Sequence, residues 1–400
     1  MKSPLSLAVA VGTLTALSLG IAAHAQHYNQ TNLVASSAGI APVTDPLLVD
    51  DWGLARASNG AWWANDNDTG VSTLYNGAGA KNPLVVTIPP VDPTKSTKGS
   101  PTGIIASGSA TDFLIGSGQP ARFVFATHDG GIAAWNPTVA ISQGASAPST
   151  NAVLVVKNAD GSSYTGLTRG VINGKTFLYA ANFTKERIDV FDSAFHRVDL
   201  SENSDNQYGF DDLRNVRPNR PFIDNELPDH YSPFNVQAIG PNIVVAFGLH
   251  VDGQNIAQGG PGLGFVDVFS SSGQLLTRLE HNDNENAPWG ITLAPLDFGL
   301  FSHDLLVGQF GGGGSTPSAG VIAAYDIATG KFEGLLQDPS GKPIVIPGIW
   351  ALSPGNISPD NLDPAGSPAA EVYFTARNSG KGLFGRFTVV SAELVEGSAQ

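Results

Sequence analysis

Short apolar runs bounded by Gly, Pro, Asn, Asp and Ser recur along the chain, and they return in a fixed order. A small residue before an aliphatic one opens each unit. The openings are Trp52-Gly53-Leu54, Thr102-Gly103-Ile104, Thr165-Gly166-Leu167, Phe234-Asn235-Val236, Trp289-Gly290-Ile291 and Trp350-Ala351-Leu352. A second apolar strand follows each opening, as in Phe123-Val124-Phe125-Ala126 and Phe177-Leu178-Tyr179-Ala180. A polar turn then leads to a third strand ending in an aromatic, such as Leu74-Tyr75, Val190-Phe191 and Val268-Phe269. The last unit ends at Phe384 or Phe387. Short strands at regular spacing with turn residues between them are the pattern of an all-β sandwich or barrel-like ring.

The central opening residues stand 50, 63, 69, 55 and 61 positions apart, so each interval holds about four short strands. Six returns of one grammar predict an all-β, six-bladed β-propeller rather than a sandwich. Gly at four of the six openings fits innermost strands that crowd the axis, where a missing Cβ permits close approach. The sixth unit runs out of chain after its third strand. Thr31-Asn32-Leu33-Val34-Ala35, near the N-terminus, is the strand expected to complete it and hide two sheet edges. The ring forms a single domain over residues 26–390. Residues 201–221, rich in Asn, Asp and Arg, read as an insertion on the rim before blade four, and 391–400 as a flexible tail.

The first residues read as an address. Lys2 precedes an almost continuously apolar run from Leu5 to Ala22, which ends in Ala23-His24-Ala25, the small-x-small pattern of signal-peptidase cleavage. A signal peptide over 1–25, cut after Ala25, makes the protein periplasmic or secreted, with no membrane span. Composition narrows the partners. The chain has 400 residues, a formal charge of −14, 47 Gly, 27 Pro and no Cys, so a disulfide scaffold, a zinc-thiolate site and a cysteine nucleophile are excluded. The acidic balance speaks against nucleic acid, which needs clustered Lys and Arg. A monomer that meets a small-molecule, glycan or peptide ligand at the channel mouth is the expectation.

Several stretches resemble a family of uncharacterised exported bacterial proteins, themselves predicted to be β-propellers and distantly akin to NHL-repeat proteins. They include Asp45-Pro46-Leu47-Leu48-Val49, Gly70-Val71-Ser72-Thr73-Leu74-Tyr75, Arg187-Ile188-Asp189-Val190-Phe191-Asp192, Tyr231-Ser232-Pro233-Phe234-Asn235 and Pro288-Trp289-Gly290. The resemblance implies a fold and an export route, and it supplies no catalytic residues. The insertion and the loop from Gly311 depart from the family's shorter connections.

First strands start and second strands end on one face of a propeller, so residues just past each second strand converge around the channel. Counting from the small residue that ends each second strand gives Asp66, His128, Asn182, Gly248, Phe310 and Arg377. One position earlier lie Asn65, Thr127, Ala181, Phe247, Gln309 and Ala376. Asp66, His128 and Asn182 are candidate ligands of a divalent cation, calcium or another. His128 also serves as candidate general base and Arg377 as anion anchor. Asn235, His250, Gln309 and Trp289 are candidate ligand-binding residues, with Trp52 and Trp350 also at openings. Each has a plainer role beside it: Asp and Asn cap tight turns, and Trp packs between blades. The loop Asn65–Gly70 places carboxylates at alternate positions as a calcium loop does, without the distal Glu of an EF-hand. Two readings stand at this point. One is a metal-assisted hydrolase or lyase acting on a small ester, lactone or carbohydrate-type substrate. The other is a non-catalytic ligand- or protein-binding module at the cell envelope.

Overall fold

Short, near-continuous apolar strands such as Phe123–Thr127 and Leu305–Gln309 are buried on both faces between neighbouring blades, and six such sheets form around one axis in a computed structural model of the chain. It describes residues 27–58, 60–116, 118–141, 146–204, 218–313, 319–355, 371–378 and 381–390. The expected signal peptide, residues 205–217 of the insertion and the tail after 390 lie outside them.

Blade one comprises Asp51–Arg56, Trp62–Asp66, Val71–Tyr75 and Lys81–Thr87, each strand antiparallel to the next. Blade two is built from Pro101–Ala106, Phe123–Thr127, Gly131–Trp135 and Val153–Lys157. Blade three has Tyr164–Ile172, Lys175–Asn182, Arg187–Phe191 and Arg197–Val198, and blade four Tyr231–Ile239, Asn242–Leu249, Gly264–Ser270 and Leu275–Arg278. Blade five follows with Pro288–Leu293, Leu305–Gln309, Ile322–Tyr325 and Phe332–Leu335.

Blade six closes the ring. Its first three strands, Ile349–Pro354, Glu371–Asn378 and Lys381–Val389, come from the C-terminal part of the chain. Its outer strand is Tyr28–Ala35, antiparallel to Lys381–Val389. The expected closing strand is thus present and starts three residues earlier than Thr31. A two-residue strand, Val43–Thr44, adds to it in parallel.

Large side chains fill the wedges between blades. Trp63 stacks on Phe123 at 4.1 Å, and Trp135 lies 4.8 Å from Trp63. Full burial of side chains of this size is worth about 1.5–3 kcal/mol each. Buried charge is absorbed in tyrosine–carboxylate pairs. Tyr75 donates to Asp45, Tyr164 to Asp189, Tyr325 to Glu285 and Tyr373 to Glu371, each hydroxyl 2.6–3.0 Å from its oxygen. The stretch after residue 217 returns to blade four with Phe222 buried between Tyr179 and Phe269.

Candidate functional site

Each blade carries a bulge at the same level, between the opening of its first strand and the end of its second. A bulge takes backbone groups off the ladder, and a buried carbonyl left there needs a donor from elsewhere. Other blades supply them. Thr375 Oγ1 donates to the Trp52 carbonyl at 2.6 Å, and Asn65 Nδ2 to that of Thr102 at 3.0 Å. Trp289 Nε1 donates to the Thr165 carbonyl at 3.0 Å, and Asn235 Nδ2 to that of Trp289 at 2.6 Å. Asn235 stands where four other blades have Gly, and its amide bridges blades four and five. A Cβ on Gly166 would overlap the Asn235 side-chain oxygen, and one on Gly103 would overlap the Leu167 amide nitrogen.

The axis itself is filled with rings at this level. Trp52 and Trp350 stack at 3.6 Å, and Phe310 lies on the other side of Trp350 at 3.8 Å. Trp289 meets both indoles edge-on at 6.0 and 5.6 Å, and Phe234 packs beside them. All five side chains are buried. The loop after the second strand of blade four lays Ile256 and Ala257 on this cluster. Behind the plug is a cavity of about 30 Å³ lined by Gly53, Gly103, Leu167, Asn235, Trp289 and Leu352, room for about one water.

The polar ring expected at the mouth is therefore not assembled. Strand pairing shows why. Asp66 pairs with Asp51, Thr127 with Pro101, Asn182 with Tyr164, Phe247 with Pro233, Gln309 with Pro288 and Ala376 with Ile349. These six share one level. His128, Gly248, Phe310 and Arg377 fall one residue beyond it, because Ala126, Ala246, Gly308 and Thr375 are not equivalent to Ala64 and Ala180.

Each candidate can be placed. Asn182 is fully buried: its amide donates to Asp189 at 2.7 Å and to Ser162 at 3.0 Å, and its oxygen accepts from the Ser163 amide. Gln309 is buried with its oxygen accepting from the Asn286 amide at 2.8 Å. Trp289 is 3% exposed and offers no ring face to a ligand. Arg377 turns to Asp50, 3.6 Å away, whose Oδ1 also accepts from Trp350 Nε1. His250 lies off the axis against Phe183, with Glu186 and the Gln254 carbonyl at its two ring nitrogens. The polar side chains of the Asn65–Gly70 loop diverge too: Asn67 donates to the Pro101 carbonyl and Thr69 to that of Leu47.

Two candidates keep unsatisfied atoms. His128 sits edge-on to Trp52 at 4.5 Å with Nε2 buried and unpaired, and burial pushes its imidazole down to about 4. It is thus neutral at pH 7. Asp66 accepts from Thr73 at 2.7 Å through Oδ2, while Oδ1 is buried without a partner. Burial holds its carboxyl well above the usual range. Asp51, opposite it, is raised by burial and then by the Asp66 charge. Asp51 was not among the sequence candidates. Antiparallel pairing carries the signal, since the residue that opens a first strand must face the one that ends the second. Asp66, His128 and Asn182 are not brought together, and among the described residues no group of three or more His, Asp or Glu side chains is placed to hold a metal ion.

No family model matches the chain. It is similar to an uncharacterized protein of Acanthamoeba polyphaga mimivirus, 28% identical over 332 residues, covering 80% of this chain and 72% of that protein. A second uncharacterized protein of the same virus is 27% identical over 352 residues, covering 86% and 80%. Among solved structures it is similar to a protein of unknown function from Bacteroides thetaiotaomicron. That likeness has a TM-score of 0.51 and 10% identity, over 91% of this chain and 76% of that one. A streptogramin B lyase is similar at a TM-score of 0.44 and 13% identity, over 91% and 98%, too loosely to bear on activity. The Bacteroides likeness is one of fold and agrees with the propeller. The viral relatives carry no assigned activity.

Proposed function

We propose that this chain is a non-catalytic propeller module, exported and monomeric, that binds a glycan, peptide or protein on its outer surfaces rather than in its channel. One observation carries the reading: the donors of Asn65, Asn235, Trp289 and Thr375 are spent on carbonyls freed by the bulges, and aromatic rings fill the space a substrate would need. Donors already committed inside the fold cannot turn to a ligand without leaving buried groups unpaired, at about 1–3 kcal/mol each. Export rests on Lys2, the apolar run to Ala22 and Ala23-His24-Ala25.

The reading is tested by elemental analysis and thermal-shift screening of the purified protein with divalent ions, chelator, small acids and sugars. Metal well below one ion per chain and a Tm indifferent to chelator and ions are expected. Near-stoichiometric metal together with a lower Tm in chelator would overturn it. N-terminal sequencing should find a mature chain starting at Gln26; an intact Met1 in all of the protein would remove export.

The rival reading, a metal-assisted hydrolase or lyase with a divalent cation, is favoured by one feature, the neutral His128 with its unpaired Nε2. On that reading His128→Ala abolishes turnover of a small ester or lactone without unfolding the protein.

A further inference from the structure

Blade four carries a buried carboxyl whose neighbour is another carboxyl. Asp267, in the third strand, is 2% exposed and stands directly across from Arg278 in the fourth. Residues so opposed share one face of the sheet. The Arg278 guanidinium nevertheless reaches Asp224, with Nε 2.5 Å from Oδ2 and Nη2 2.7 Å from Oδ1, a two-pronged pair. Nη2 also lies 3.3 Å from Glu226, whose own amide donates to Asp224 at 2.8 Å. Asp267 receives none of this. Its Oδ2 is buried without a donor, and the group beside it is the carboxyl of Asp224.

The corresponding position in blade three makes the contrast. Asp189 is met there by Tyr164, Asn182, Arg187 and Arg197. Asp267 is met by an anion. Two carboxyls that share a buried site resist ionising together, so one of them keeps its proton to higher pH.

We propose that Asp267 is a protonated acid that donates to Asp224, so that one shared proton fastens the segment 218–230 to the side of blade four. The segment's other anchor is Phe222, whose ring packs on Tyr179 and Phe269 and whose amide donates to the Gly273 carbonyl at 2.8 Å. Burial, then the Asp224 charge, pushes the Asp267 carboxyl up to about 8, with Arg278 opposing them. Asp224 is held low by the Arg278 fork. These are the charged groups that act on Asp267, with Glu226 reaching it through Arg278. The sign follows. From about pH 4 to about pH 8 the native chain binds a proton that the unfolded chain has lost, so this contribution falls as pH rises through that window. Above it the proton is gone and two anions face each other.

The experiment is amide hydrogen exchange on the full chain at pH 6.5 and pH 9.0, corrected for intrinsic exchange, and read at Phe222 and Glu226. Protection in the unaltered protein should fall at least tenfold between the two. In Asp267→Asn, whose amide donates at either pH, it should not fall. Equal losses in both proteins, or no loss in the first, would overturn the proposal. Should the variant not fold, carboxyl carbon-13 NMR of aspartate-labelled unaltered protein decides. A carboxyl titrating between pH 7 and 9, and lowered by a unit or more in Asp224→Asn, is expected; none titrating in that range sinks the idea.

Discussion

The indole of Trp289 donates to the Thr165 carbonyl at 3.0 Å, joining blade five to blade three past the blade between them. Neighbouring blades of a ring touch along their strands, whereas this bond spans the axis. With the side-chain bonds of Asn65, Asn235 and Thr375 it collects carbonyls freed at the openings. The aromatic plug is therefore hydrogen-bonded into the ring as well as packed in it.

Trp289→Phe keeps an aromatic ring on the axis and leaves the Thr165 carbonyl buried without its donor. A loss of about 1–3 kcal/mol is expected, read as a lower urea midpoint with an unchanged slope. An unchanged midpoint would mean that the bond contributes nothing.

Gly166→Ala pushes a methyl into the Asn235 amide, and overpacking of this kind costs about 1–3 kcal/mol. Asn235→Gly costs separately, by removing the donor to the Trp289 carbonyl. The two changes touch one contact, so the double variant should be more stable than the sum of the single losses predicts. Urea unfolding of the four proteins gives the coupling, and strict additivity would show that the two residues do not press on each other.

His128 has its imidazole pushed down to about 4 from an ordinary 6.5. The unfolded chain therefore binds a proton between those values that the native chain does not, and stability contributed here rises with pH through that window. NMR of the ring carbon should show a midpoint near 4. His128→Phe should flatten the loss of stability between pH 6.5 and 4. A midpoint at or above 6 would contradict the burial.

A chain lacking residues 27–36 should lose the closing strand of blade six and expose the edge of Lys381–Val389. Loss of near-ultraviolet dichroism and a tendency to associate are expected. A synthetic peptide of residues 27–36 added in excess should restore the signal. A truncated chain with native dichroism and an unchanged Tm would show that closure does not depend on this strand.

The openings, second strands and aromatic-ended third strands were legible because each repeats a local pattern that strand burial imposes. The closing strand was legible from the missing fourth strand of blade six. Where the second strands end was harder to read. Ala126, Ala246, Gly308 and Thr375 look like the ends marked by Ala64 and Ala180, yet strand pairing sets each of them one residue further along. That single step separated His128 and Arg377 from Asp66 and Asn182. The bonds of Asn65, Asn235 and Thr375 join residues of different blades, and no local pattern announces a partner 37, 54 or 323 positions away. Trp52, Trp289 and Trp350 were visible at the openings. Their meeting on the axis needed the ring to be built.

Residues Tyr28–Ala35 lie in one sheet with Lys381–Val389. During synthesis the earliest strand of the ring must wait unpaired until the latest has left the ribosome. Blades one to five can form in turn, but the circle has no partial version of its final seam. A stop codon or proteolytic cut before residue 381 thus yields an open arc with two bare sheet edges, a natural substrate for chaperones and proteases.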